Sequence, residues 1–266
     1  MTAVNKMNRN NIEKIAQTYE DKLLLAKLWD KINAGVRKNI PTNSCFLSLR
    51  EQEMARFLFG DVQGLFLFGG YGDAERKMLV YLPDYLDETD LQDSAGLMCL
   101  RAVFYQADNP THRDFLGALI GCGIARETIG DILVNSGYCD FFVTEEIAPY
   151  ILQNFESAGR TKVKLQQIPL SDVSVPLPET HEIKDTLPSL RLDSVISAGF
   201  RISRSSAVQQ ITSGRVAING LSCEKPDKIV EQGATISIRG MGKIQLKNIN
   251  GLTKKERISV VIDRYI

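Results

Sequence analysis

Arg191-Leu192-Asp193, then Arg201-Ile202-Ser203-Arg204-Ser205-Ser206-Ala207, then Gly214-Arg215-Val216-Ala217-Ile218-Asn219-Gly220 form the most telling stretch of this 266-residue chain. Its pattern predicts two short helices running into a β-hairpin. Leu192, Val195 and Ile196 fall on one helical face at i, i+3 and i+4, and Gly199 is placed to end that helix. Ser203 is a candidate N-cap for a second helix that carries Ala207, Val208 and Ile211, with Gly214 at its C′ position. A helix N-terminus presents unpaired N–H groups and a partial positive charge, so it favours phosphate. Arg201 and Arg204 flank that terminus, and Arg191 lies one helix away. The expectation is a compact phosphate-binding surface, which points to nucleic acid.

The charge distribution agrees. Residues 187–266 hold 13 lysines and arginines against 6 acids, a net of +7. The whole chain holds 32 of each sign, so residues 1–186 carry −7. A neutral total therefore hides a basic tail on an acidic body, and such an asymmetry suggests a polyanion partner for one end. Lys225, Lys228, Arg239, Lys243 and Lys247 continue the basic count beyond the helices. Contacts of this kind give affinity but little sequence reading.

Residues 188–245 resemble the S4 RNA-binding domain, the αL module. Its pattern runs from an Arg-Leu-Asp opening helix through a Ser-Arg-Ser-x-Ala second helix to a Gly-x-Val-x-Val-Asn-Gly hairpin. Here the hairpin stands as Gly214, Val216, Ile218, Asn219 and Gly220, with Ile for the second Val. The match is long and ordered, which makes it more specific than any single motif within it.

Composition bounds the rest. With 44% hydrophobic residues, the chain can bury two or three small cores. No window approaches a membrane-spanning apolar run, and Met1 to Asn11 is polar with no signal-peptide core. A cytoplasmic location is the default. The five cysteines (Cys45, Cys99, Cys122, Cys139 and Cys223) are scattered, and no pair has metal-ligand spacing. Reduced thiols are expected, with no metal and no cofactor.

Along the chain, residues 11–33 read as an amphipathic helix carrying Ile12, Ile15, Tyr19, Leu23 and Ala26. Ser48 and Glu51 form a capping box ahead of a second helix. From residue 64 the pattern turns to strands at Leu65 to Phe68, Met78 to Leu82, Leu97 to Tyr105, Asp131 to Val134, Asp140 to Val143 and Lys162 to Ile168. Helices are expected after Thr111 and from Glu145 to Ser157. Strands and two helices in this order suggest a ferredoxin-like plait. Pro169, Pro176, Pro178 and Pro188 punctuate a stretch that reads as an extended linker. The expected fold is thus α+β in four parts: a helical N-terminal region over 1–62, a central ferredoxin-like α/β plait over 63–168, a linker over 169–188, and an S4-type domain over 189–266.

The order of parts narrows the resemblance. Phe46-Leu47-Ser48-Leu49-Arg50-Glu51-Gln52, Gly69-Gly70-Tyr71-Gly72-Asp73-Ala74-Glu75-Arg76 and Gly121-Cys122-Gly123-Ile124-Ala125-Arg126-Glu127, with Ile129-Gly130-Asp131-Ile132 after it, are similar to signatures of one bacterial family. That is the YlmH-type S4-domain family, whose cyanobacterial and plastid branch is labelled photosystem II S4 domain protein. The resemblance spans the chain from about residue 10 to its end. It implies association with ribosomal RNA or tRNA of the large ribosomal subunit, in translation or the quality control of stalled nascent chains. Phosphate and 2′-OH contacts are expected from Arg191, Arg201, Ser203, Arg204, Ser205 and Arg215, with Lys225, Arg239 and Lys243 extending the surface. A monomer without catalytic residues is expected.

Other classes fit less well. Gly69-Gly70-Tyr71-Gly72 lacks the third glycine of a dinucleotide fingerprint and the Gly-Lys-Ser ending of a P-loop, and Asp73 and Glu75 would repel phosphate. The central plait has no Lys/Arg-Gly-Phe-Gly-Phe signature, so Phe66, Phe68 and Phe104 read as core residues, not as stacking platforms. The αL module also accompanies pseudouridine synthases and RNA methyltransferases, which makes an RNA-modifying enzyme the runner-up. A protein adaptor, as the photosystem label suggests, is the third class.

Overall fold

Thr18 opens the first long helix by a reciprocal cap. Its hydroxyl accepts the Asp21 N–H at 3.1 Å, while the Asp21 carboxylate accepts the Thr18 N–H at 3.0 Å. The single helix expected over 11–33 is therefore two, α1 (Ile12–Ile15) and α2 (Tyr19–Lys38). Asp21 is buried and also receives both Arg50 Nη atoms at 2.6 Å, which holds its carboxyl well below the usual range. The computed structural model describes residues 9–60, 62–176, 180–253 and 256–265. It divides into two compact units, residues 1–176 and 177–266.

In the first unit, β1 (Thr42–Leu47) leads into α3 (Leu49–Phe59), which Ser48 and Glu51 cap as the sequence predicts. β2 (Leu65–Phe68) and β3 (Lys77–Tyr81) then pair with β1 in an antiparallel sheet of order β1-β3-β2. This corrects the assignment of residues 65–68 and 78–82 to the plait. Their partner was missed because Thr42-Asn43-Ser44 is polar and sits directly before the capping box, so the segment lacks a strand signature. Ser44 is nevertheless buried, and its hydroxyl accepts the Leu79 N–H at 2.8 Å.

After α4 (Leu91–Ser94) come β4 (Leu97–Val103), α5 (His112–Gly121), β5 (Ile129–Asn135), β6 (Tyr138–Thr144), α6 (Ala148–Asn154), the two-residue strands β7 (Ser157–Ala158) and β8 (Thr161–Lys162), and β9 (Lys164–Ile168). The four longer strands form a sheet of order β5-β6-β4-β9 with every neighbouring pair antiparallel. With a helix after its first strand and another after its third, this is the ferredoxin-like plait, and it starts at residue 97, not 63. Phe115, Leu119 and Ile151 of the helices pack on Leu100, Ala102 and Phe141 of one sheet face.

The opposite face is half covered. Phe46, Met78 and Val80 of the three-stranded sheet share a core with Cys99, Leu133, Phe142 and Ile168 of the plait. Residues 1–62 and the plait are accordingly not separate bodies. Gly130 permits the contact: a Cβ there would sit 2.6 Å from the Phe46 ring and 2.9 Å from Phe142 Cβ. Tyr71 adds a ring stacked on Phe142 at 5.5 Å between centroids, and its hydroxyl donates to Asp131 at 2.7 Å. Phe66 and Phe68 are partly buried against this core, and Phe104 is buried under the helices.

The linker expected over 169–188 is also corrected. Leu170 and Val173 pack on the core just described, and Thr180–Leu187 forms β10. As an edge strand, β10 needs only Ile183 and Leu187 buried, which leaves it too polar to read as a strand. In the second unit α7 (Leu192–Phe200) and α8 (Arg204–Thr212) precede β11 (Val216–Ile218), β12 (Leu221–Ser222), β13 (Thr235–Ile238), β14 (Gly242–Leu252) and β15 (Ile258–Tyr265). The sheet order is β10-β15-β14-β13-β11-β12. Val195, Ile196, Ala207 and Ile211 of the helices share one core with Ile236, Ile244, Leu246 and Ile262 of the sheet. Gly199 does not end α7. It lies against β14, where a Cβ would meet Ile244 Cδ1 at 2.5 Å, and Arg201 ends the helix in the left-handed region at φ 54°.

Replacing Gly130 by Ala should destabilise the first unit by about 1–3 kcal/mol, because two fully buried phenylalanines must shift to admit one methyl group. Thermal denaturation checks this, and an unchanged melting temperature would show that the two sheets do not share the core described.

Candidate nucleic-acid interface

The second unit gathers its cations around a buried carboxylate. Asp193, in the first turn of α7, is 2% exposed. Its two oxygens accept from Arg191 Nε and Nη2 at 3.3 and 3.1 Å and from Arg204 Nε and Nη2 at 3.0–3.3 Å. Burial pushes the Asp193 carboxyl up, but the hydrogen bonds from Arg191 and Arg204 outweigh it and hold it below its ordinary value. The same bonds raise Arg191. One carboxylate thus orients two guanidinium groups whose side chains remain 38% and 52% exposed, one arriving from each helix. Asp193 belongs to the Arg-Leu-Asp motif, yet its role as the hub of the cluster was not legible. Two arginines and one acid in sequence give a charge count, not a geometry.

The N-terminus of α7 is closed by the chain itself. Leu192 N–H donates to the Lys228 carbonyl at 2.8 Å and Asp193 N–H to the Pro226 carbonyl at 3.0 Å, which lays the Lys225–Lys228 turn across the helix start. Lys225, an exposed residue, therefore joins the Arg191 side of the site. At α8 the expected N-cap is present: Ser203 Oγ accepts the Ser206 N–H at 3.1 Å and lies 2.9 Å from Ser205 Oγ. Ser203 is thus part of the cap and presents only its remaining hydroxyl capacity to a ligand. Arg201 stands at the far end of α7, where Nη2 comes within 3.5 Å of His181 Nε2 on β10. It is exposed, with no carboxylate partner among the described residues.

The hairpin places the remaining cations. Asn219 and Gly220 both have positive φ, 48° and 79°, as a tight two-residue turn between right-twisted strands requires. Asn219 Oδ1 accepts the Thr235 N–H at 2.9 Å and so fastens the turn to β13. At the other end of these strands the Arg239 N–H donates to the Arg215 carbonyl at 3.0 Å, which brings two exposed arginines side by side. Lys243, opposite Ser237 in the β13–β14 pairing, stacks over the Tyr265 ring at 4.4 Å. The nine candidate residues therefore form three groups: Arg191, Arg204 and Lys225 beside Asp193; Arg201, Ser203 and Ser205 between the helices; Arg215, Arg239 and Lys243 on the sheet.

The plait's sheet offers no open central platform. Phe142 lies at the middle of its outer face and is fully buried under the three-stranded sheet. Burial also pushes the Cys99 thiol up to about 12 and the Cys139 thiol up as well, so both stay protonated. Among the described residues no group of three or more His, Cys, Asp or Glu is arranged to hold a metal ion, and no helix is long and apolar enough to cross a membrane.

Comparison with known proteins agrees with the geometry. Residues 105–172 match the family model described as "Putative RNA-binding domain in YlmH", and residues 190–236 match the S4 domain. Ribosome-associated protein quality control protein P2 of Bacillus subtilis (strain 168) is 35% identical over 222 residues, covering 82% of this chain and 85% of that protein. The chain belongs to the YlmH-type S4-domain family. A solved structure, the cell division protein ylmH from Streptococcus pneumoniae, is similar at 18% identity with a TM-score of 0.49, over 60% of this chain and 98% of that one.

Replacing Asp193 by Asn should cost the second unit about 1–3 kcal/mol, less than for a fully buried pair because both arginines still reach water. The Asp193 carboxyl lies below its ordinary value of 3.8 in the folded state. Its contribution is therefore complete above that pH and is lost as pH falls through the folded value. Melting followed from pH 7 to pH 2 should show an acid-sensitive loss in wild type that is smaller in Asp193→Asn. Equal acid sensitivity of the two would refute the pairing.

Proposed function

We propose that this chain is a ribosome-associated RNA-binding factor with no catalytic activity of its own, whose S4 unit docks as a monomer on ribosomal RNA or tRNA of the large subunit. The observation that carries the reading is the exposed cationic surface of the second unit, built on a single packed core and oriented by Asp193. Oriented guanidinium groups with part of their donors left over suit phosphate oxygens, and contacts to phosphate follow an RNA backbone more than a particular base sequence. The curated relative is named for ribosome-associated quality control, and the same setting in the cytoplasm fits this chain.

Arg201 and Arg215 are the residues to test, because neither is needed to neutralise the buried Asp193, whereas loss of Arg204 would uncover it. The Arg201→Glu/Arg215→Glu variant should keep its fold and bind ribosomal subunits tens-fold more weakly. Its log–log salt dependence should be flatter by roughly two units, one for each lost phosphate contact. Sedimentation with purified subunits at several salt concentrations, followed by crosslinking of the bound RNA, measures both. Wild-type binding by the variant would dismiss this surface.

A further inference from the structure

Two further groups stand beside Arg201, and neither lies in the S4-matched segment. His181 is near the start of β10 and Arg264 near the end of β15, directly opposite each other in the strand register. Opposite residues of an antiparallel pair point to the same face. Alternation along β15 puts Arg264 on the side of Val260 and Ile262, which face the helices. There the Arg264 guanidinium lies over the Phe200 ring at 5.5 Å, and Arg201 Nη2 comes within 3.5 Å of His181 Nε2. His181, Arg201 and Arg264 thus gather at the C-terminal end of α7, whose dipole favours positive charge.

The surrounding acids are committed elsewhere. Glu182 and Asp263 point to the opposite face of the sheet, where Lys184 pairs with Glu182 and Lys247 with both. Asp185 shares the face of His181 but lies four residues on, about 13 Å away along the strand. Asp193, the acid of α7, is eight residues before Arg201, about 12 Å along the helix, and is held by Arg191 and Arg204. Neither Arg201 nor Arg264 has a carboxylate at ion-pair distance among the described residues. The cluster therefore holds two permanent charges and one imidazole, the side chain whose charge changes between pH 8 and pH 5. The Arg201 contact is a hydrogen bond only while His181 Nε2 carries no proton; a protonated ring faces the guanidinium as a like charge.

We propose that His181 makes RNA docking by the second unit proton-linked: the ring takes up a proton as a phosphate is held beside Arg201 and Arg264, so the grip on RNA tightens as pH falls from 8 to 5.5. The inference rests on the second unit docking on RNA and adds the regulation of that site. Without an anion, a third charge is opposed by two guanidinium groups. A phosphate supplies the missing counter-charge, and by linkage binding and protonation then favour each other. Arg201 leads through Ile202 into the Ser203 cap, so a phosphate held here also borders the Ser203 and Ser205 hydroxyls. Asp193, which orders the neighbouring arginines, has its carboxyl held below 3.8 and keeps its charge throughout this pH range. The chain has one other histidine, His112, and it belongs to the first unit.

The test is sedimentation of the full chain with purified large ribosomal subunits at pH 8 and pH 5.5, each at several salt concentrations. Wild type should bind about tenfold more tightly at the lower pH, the worth of one charge-assisted hydrogen bond. Its log–log salt slope should steepen there by about 0.9, the worth of one further phosphate contact. His181→Gln, which never carries charge, should lose this pH ratio. His181→Lys, which always does, should bind tightly at both values, and His112→Gln should keep the wild-type ratio. Titration of the subunits themselves is common to every variant, so the differences between variants decide. Equal pH ratios in wild type and His181→Gln overturn the proposal, as does His181→Lys binding no better than His181→Gln, since charge would then not be what the position supplies. If the ratios are equal while Arg201→Glu/Arg215→Glu binds weakly, RNA docking stands and the proton linkage falls; if wild type binds at neither pH, both fall. Melting at pH 8 verifies that the variants of this exposed position are folded.

Discussion

The contact of Phe46 with Phe142 across Gly130 decides the architecture of the first unit. A ferredoxin-like sheet has two faces, and its own two helices cover only one. The three-stranded sheet of β1, β2 and β3 takes the central part of the other, and both phenylalanines are about 1% exposed or less. The approach is so close that Gly130 has no room for a Cβ, which ties the position to glycine by packing and not by backbone conformation. The consequence reaches function: a sheet face that could otherwise stack several bases is largely covered, and residues 172–174 cross the remainder, where Arg101 donates to the Asp172 carbonyl and Asn135 to the Ser174 carbonyl.

The second unit solves a different problem, which is to crowd positive charge on a small surface without unfolding it. Asp193 offsets the repulsion between Arg191 and Arg204 and fixes both guanidinium groups in place. The cost of burying its carboxylate is met by its hydrogen bonds, and the two arginines keep enough exposure to reach a further anion. Rings also steady cations of this unit, with Tyr265 beneath Lys243 and His181 beside Arg201. A surface steadied in this way binds with less loss of side-chain freedom than one of loose lysines.

Much of this was legible in the sequence. The capping box at Ser48, the helix start after Thr111, the Ser203 N-cap and the Asn219-Gly220 turn all stand where local chemistry predicts, because each depends on neighbours within a few residues. The failures share a cause. β10 and the first half of β1 are polar and their pairing partners lie far along the chain, so the pairing leaves no mark in the local pattern. Gly199 was read as a helix stop because glycine is a helix breaker, whereas the force that selects it is Ile244 on a strand 45 residues later. The cationic residues could be picked out by type, but their sorting into three groups came from Asp193 and from the register of β11, β13 and β14, which no local rule supplies.

The balance of charge then takes on a definite meaning. A protein with no net charge gains little long-range attraction to RNA as a whole. With +7 over residues 187–266 and −7 over the rest, the attraction is instead local: the C-terminal part is drawn to a phosphate backbone while the remainder is pushed from it. Screening at physiological salt limits each contribution to about 8 Å, so the repulsion acts locally, surface by surface. An acidic body therefore disfavours approach, while the cationic C-terminal part favours it. Restricting contact to a few oriented surfaces is how a protein that reads phosphates, and hence little sequence, can still select one shape of RNA over the bulk of it.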